Sequence, residues 1–174
     1  MDSELRELLD RQQILDCVHR YARGVDRLDR ELVLSAYHDD AVDSHGPFSG
    51  SPREFIEWLW PRQATRRASQ HMIANHLVEL DGDVAHGETY WLTALCSSEP
   101  EQVMLAGGRW VDRFERRDGS WRIAVRNVVS EWSTTLAGEQ LLGEPYAQGA
   151  RDRGDISYQR PLQALGALVA SPPR

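Results

Sequence analysis

Trp121-Arg122-Ile123-Ala124-Val125-Arg126-Asn127-Val128-Val129 reads as a β-strand. β-Branched residues dominate it, an aromatic opens it, and Asp118-Gly119 turns the chain just before it. Side chains alternate along a strand, so Ala124, Arg126 and Val128 share one face. An arginine among small apolar neighbours is costly to bury without an anionic or polar partner. Either that face is solvated, or it lines a pocket that uses the charge. The rest of the chain favours the pocket.

Working outward, Val103 to Arg116 reads as the strand that pairs with this one across the Asp118-Gly119 turn. Gln70 to Leu80 alternates, Asp81-Gly82-Asp83 turns, and Val84 to Leu95 returns, with a loop over 97–102. Successive hairpins of this kind make an antiparallel meander. Gly107-Gly108 predicts a bulge or a sharp bend. Ahead of the strands the period is helical. Ser3 caps a helix reaching Asp26, with Leu5, Leu8, Leu9, Ile14, Leu15 and Val18 as its apolar stripe. A second helix is expected from Arg30 to Tyr37. Ala41 to His45 is a short strand returning through Phe48. Pro52 opens a third helix that Pro61 is expected to end or kink. Helices followed by a long curved sheet give an α+β class. The pattern weakens after Ala137, so residues 1–136 are read as the domain. Residues 137–174 are read as a C-terminal arm or a partly disordered tail.

The chain has 174 residues, one domain by size, with a net charge of −7. That charge argues against a nucleic-acid surface and against an anionic membrane. All 20 basic residues are arginine, so there is no lysine for a Schiff base. Cys17 and Cys96 have neither zinc nor disulfide spacing, and read as buried thiols in a reducing cytoplasm. The charged N-terminus is no signal peptide, and no apolar run reaches membrane-spanning length.

Some residues stand out as chemistry. His71 and Asn75 fall on one strand face with Ile73, as polar groups placed in an apolar cavity would; the plain alternative is a histidine capping a strand end. Asp26 reads as a solvated helix-end acid or as a partner of Arg23 or Arg30. Tyr21 reads as core with its hydroxyl satisfied. Asp43, His45 and His71 form no compact ligand motif, so no metal is expected. His38, His76 and His86 are expected at the surface or an edge. Trp58, Trp60, Trp91 and Trp110 are expected in the core, with one or two facing a flat ring-shaped ligand. Arg66-Arg67 and Arg116-Arg117 are expected as solvated turns.

Several runs resemble the SnoaL-like branch of the nuclear transport factor 2-like superfamily. They are Tyr21-Ala22-Arg23-Gly24-Val25-Asp26, Ala36-Tyr37-His38-Asp39-Asp40-Ala41, Ser44-His45-Gly46, and the stretch from Gly107 to Ile123. The resemblance implies a cone, with helices wrapped by a curved mixed sheet around a deep pocket. Within the superfamily, Gly24-Val25-Asp26, His71-Met72-Ile73-Ala74-Asn75 and Arg126-Asn127 are similar to segments of hexachlorocyclohexane dehydrochlorinases. Tyr21, Asp26 and His71 match a pattern of bile acid 7α-dehydratases, and scytalone dehydratase is a more distant relative. The match implies an Asp26–His71 acid–base pair, with Tyr21 and Arg126 stabilising charge. Asn75, His45, Tyr37 and Trp110 are then candidates for substrate binding. The expected reaction is elimination, foremost dehydration of a hydroxylated cyclic or polycyclic molecule, without metal or organic cofactor. A ketosteroid-type isomerase, a polyketide cyclase and a non-catalytic binding or scaffold protein are the alternatives. A homo-oligomer, dimer or trimer, is expected from the resemblance, with the C-terminal arm as a possible strap between subunits.

Overall fold

The computed structural model describes residues 3–98, 101–137 and 147–164. Helix α1 (Ser3–Asp26) is followed by α2 (Arg30–Leu34), β1 (Tyr37–His45), β2 (Phe48–Gly50) and α3 (Pro52–Ala64). Four long strands complete the sheet: β3 (Arg66–Asp81), β4 (Val84–Ser98), β5 (Glu101–Arg117) and β6 (Ser120–Ala137). The strand order is β2-β1-β6-β5-β4-β3, in a curved sheet that does not close. The meander β3 to β6 is antiparallel as expected, while β1 joins β6 in parallel. This is the expected α+β cone.

Local chemistry explains the elements. Asp29 caps α2 by accepting from the Leu32 backbone N–H. Ser51 and Glu54 form a reciprocal capping box on α3, with Pro52 in the first turn. The second helix stops at Leu34, short of Tyr37, because Tyr37 already pairs with Ile123 of β6. The third runs through Pro61 to Ala64 rather than ending there. The Gly107-Gly108 bulge is present in the β5–β6 pairing.

Helix α1 lies across the concave side and packs Ile14, Val18, Tyr21 and Val25 against Trp110, Phe114, Trp121 and Ile123. Leu5, Leu8 and Leu9 of its expected stripe remain exposed. Gly24 is required where α1 meets α2: a Cβ there would lie 2.6 Å from Val33 Cγ2. Cys17 and Cys96 are free and buried.

The sheet also changes what the charged pairs do. Arg116 is no solvated turn residue; it pairs with Asp10 and Asp83 beside Trp121. His38 is buried and bonds the Glu115 carbonyl, so it is no surface residue; His76, half-buried and bonded to Thr89 Oγ1, lies on the edge strand β3, and His86 is exposed, both as expected. Residues 147–164 fold back on the end of α1. There Arg27 and Arg153 pair with Asp155 and Asp29, and Tyr158 donates to Asp29.

Candidate active site

Asp26 is the last residue of α1 and is nearly buried, with the first third of β3 passing over it. Ser69 Oγ donates to its Oδ1 at 2.8 Å, and the His71 backbone N–H donates to Oδ2 at 2.8 Å. The third contact is His71 Nδ1 to Oδ1 at 2.7 Å. Burial pushes the Asp26 pKa up, but the hydrogen bonds and charge of His71, with Ser69, outweigh it and hold the carboxyl below its ordinary value. An ionised carboxylate only accepts, so the proton of this contact sits on Nδ1. Nε2 is then the ring nitrogen left for a molecule in the cavity.

That cavity has a volume of about 300 Å³ and is lined by His71, Tyr21 and His45, by Trp58, Trp91 and Trp110, and by apolar side chains of β4 to β6. Of the sequence candidates, it gathers His71, Tyr21, His45 and Trp110 on its wall, with Asp26 directly behind His71. Three others stand elsewhere. Arg126 is fully buried and Tyr37 nearly so, and neither lines the cavity. Asn75 is exposed and outside the site. The cause is a bulge: Ile73 pairs with Trp91 and His76 with Thr89, so Ala74 and Asn75 share the space opposite one residue of β4. One extra residue reverses the alternation, and inward positions pass from Ser69, His71 and Ile73 to His76, Val78 and Leu80.

Arg126 has the partner its burial demands. Its Nε and Nη2 donate to Asp112 Oδ1 and Oδ2 at 2.8 and 2.6 Å, a two-point fork. Its guanidinium lies 4.2 Å from the Tyr21 ring centre and 4.4 Å from that of Trp110, so it backs two cavity walls at once. Burial opposes its charge, but Asp112 and the nearby tyrosines keep its pKa well above the ordinary arginine value. Asp43 lies buried in the same layer and accepts from Tyr37 Oη at 2.6 Å. Burial and the Asp43 charge raise the Tyr21 pKa, so its phenol stays protonated at any physiological pH.

Sequence reading missed five contributors. Ser69 and Asp112 are ordinary polar residues until the strands pair. Arg66, expected in a solvated turn, lines the cavity with Arg62. Arg151 reaches in from the C-terminal segment, donating to the carbonyls of Val25, Asp26, Gln63 and Arg66. The strand alternation of 121–129 held a signal for Asp112, since a buried arginine needs a carboxylate on the neighbouring strand. The others had none.

Comparison with known proteins agrees with this architecture. Gamma-hexachlorocyclohexane dehydrochlorinase of Sphingobium indicum is 27% identical over 143 residues, spanning 78% of this chain and 90% of that protein. The crystal structure of hexachlorocyclohexane dehydrochlorinase LinA-type3 from Novosphingobium barchaimii superposes with a TM-score of 0.71 at 26% identity, covering 81% of this chain and 99% of the other. A provisionally assigned scytalone dehydratase from Novosphingobium aromaticivorans matches with a TM-score of 0.69 at 16% identity, over 82% of this chain and 97% of the other, a likeness of fold alone. The family model described as a SnoaL-like domain matches residues 6–127. With that match over most of the chain, the protein belongs to the SnoaL-like domain family of the nuclear transport factor 2-like superfamily.

Proposed function

We propose that this protein is a lyase that eliminates water from a hydroxylated cyclic or polycyclic small molecule, with His71 as the base. The observation that carries the reading is the Nδ1 contact of His71 to an ionised, buried Asp26 at 2.7 Å, on the wall of an aromatic cavity. Neutral imidazole is a competent base near pH 7, and a carboxylate behind it fixes the tautomer and stabilises the imidazolium that forms. The similarity to dehydrochlorinases supports elimination as the reaction class.

In the step, Nε2 takes a proton from a ring carbon. The C–H electron pair becomes the new C=C bond, and the C–O bond to the neighbouring hydroxyl breaks. The imidazolium returns its proton to the departing hydroxide, so the products are the alkene and water and His71 ends neutral. Tyr21, held protonated, donates a hydrogen bond toward charge developing on substrate oxygen. Arg126 acts through Tyr21 and Trp110 as a positioning residue, since its fork is occupied by Asp112. The aromatic walls exclude water and strengthen each of these interactions. A chloride in place of hydroxide would leave as the anion by the same steps, and the imidazolium would then give its proton to solvent, returning His71 to its neutral form.

The test is turnover of hydroxylated and halogenated ring compounds, followed by mass spectrometry for loss of water or of hydrogen halide. His71→Gln and Asp26→Asn are each expected to lower the rate by about 10²–10⁴-fold. A product of unchanged mass would replace elimination by isomerisation. Turnover that survives His71→Gln would remove His71 as the base.

A further inference from the structure

The rim of the cavity is cationic in a chain whose net charge is −7. Arg62 from the last turn of α3 and Arg66 from the start of β3 line it with His45 and His71, and among the described residues no lining side chain is a carboxylate. Exposure falls along this wall: Arg62 is exposed, Arg66 half-buried, and Tyr21 deep inside at 2%. The arginines are held by neutral acceptors. Arg62 donates to the Trp58 carbonyl, with its guanidinium 4.5 Å from the Trp58 ring centre, and Arg66 donates to Ser97 Oγ. Among the described residues neither forms an ion pair, whereas Arg109, Arg116, Arg117 and Arg126 each hold a carboxylate. Behind the rim stands a further, half-buried cation, Arg151, bonded to the Gln63 and Arg66 carbonyls. Its pKa is lowered by burial first and then by the charges of Arg27 and Arg66, while Asp26 opposes the shift. Positive charge thus accumulates at the rim, and a low-dielectric cleft focuses it outward.

Building on the elimination reading, we propose that the substrate is a ring compound bearing a carboxylate, which Arg62 and Arg66 grip at the rim while the reacting carbon lies inside against His71. Guanidinium forks match a planar carboxylate in shape and charge. At about 300 Å³ the cavity is at the small end of ligand sites, which suits a compact ring acid. Anchoring one end also gives the base a fixed carbon to work on.

Matched pairs test this without turnover: cyclohexanecarboxylate against its carboxamide, benzoate against benzamide, and 2-naphthoate against 2-naphthamide. Affinity is read by quenching of the wall tryptophans. At least one acid is expected to bind at least about tenfold more tightly than its amide, with the preference shrinking as salt rises. Arg62→Gln with Arg66→Gln is expected to level the pair, and Arg62→Lys with Arg66→Lys to keep much of the preference. Equal affinities in every pair, no binding in any, or a preference that survives the double Gln variant would overturn the proposal. A carboxylate preference in a protein that eliminates nothing would instead sink the lyase reading and leave this one standing.

Discussion

Three donors converge on the Asp26 carboxylate, and they fix which nitrogen of His71 carries its proton. Because Asp26 binds both the ring and the backbone of residue 71, it sets the position of the imidazole as well as its tautomer. Arg126 is the other residue on which the site depends. It stands between Asp112, Tyr21 and Trp110 with no exposure to solvent. Removing it leaves the buried Asp112 carboxylate without its counter-ion. Arg126→Ala is therefore expected to cost about 3–5 kcal/mol of stability by urea unfolding. Replacing both partners, as Arg126→Met with Asp112→Leu, is expected to recover most of that loss. A single variant as stable as the wild type would show that the fork contributes nothing to the fold.

At the scale of elements, the bulge in β3 decides which residues meet. The periodicity of Gln70–Leu80 made the strand legible, but continuous alternation put Asn75 beside His71 and turned His76 away. The extra residue reverses the second half of the strand, so His76 and Val78 face in. Deleting Asn75 removes the bulge and leaves Ile73 opposite Trp91 and His76 opposite Thr89 in one even alternation, with both halves of the strand still facing inward. It is therefore expected to change stability by less than about 1 kcal/mol, read by urea unfolding. A much larger loss would mean that the bend at the bulge, and not only the alternation, holds the sheet in shape. The helices and hairpins could be read because capping residues, Gly turns and apolar spacing are local signals. The partners of Arg126 and Asp26 could not, because Asp112 and Ser69 reach them only through strand pairing and the crossing of α1 by β3. Arg66 was misread for the same reason, since nothing local tells a rim arginine from one in a turn.

For the whole molecule, helix α1, the sheet and the segment 147–164 meet around Asp26. That segment lies outside the 6–127 stretch matched by the family model, and from it Arg151 reaches the carbonyls of Val25 and Asp26. Folding stability should record the Asp26 network through pH. The folded-state pKa lies below the ordinary 3.8, so the unfolded chain binds the proton first on acidification. The stabilisation is present in full above that ordinary value and is lost as pH falls through the lowered one. The stability gap between wild type and Asp26→Asn is expected to shrink as pH falls from that ordinary value through the lowered one. A gap that widened over that acid range would contradict a stabilised carboxylate.

The central claim is that Asp26 leaves Nε2 of neutral His71 free to take a proton. Nitrogen-15 NMR of the His71 ring, at a pH where the imidazole is neutral, tests it most directly and needs no substrate. The proton is expected on Nδ1 in the wild type, with a shift toward the Nε2–H form in Asp26→Asn. A wild-type ring already protonated on Nε2, or a tautomer indifferent to Asp26, would contradict it.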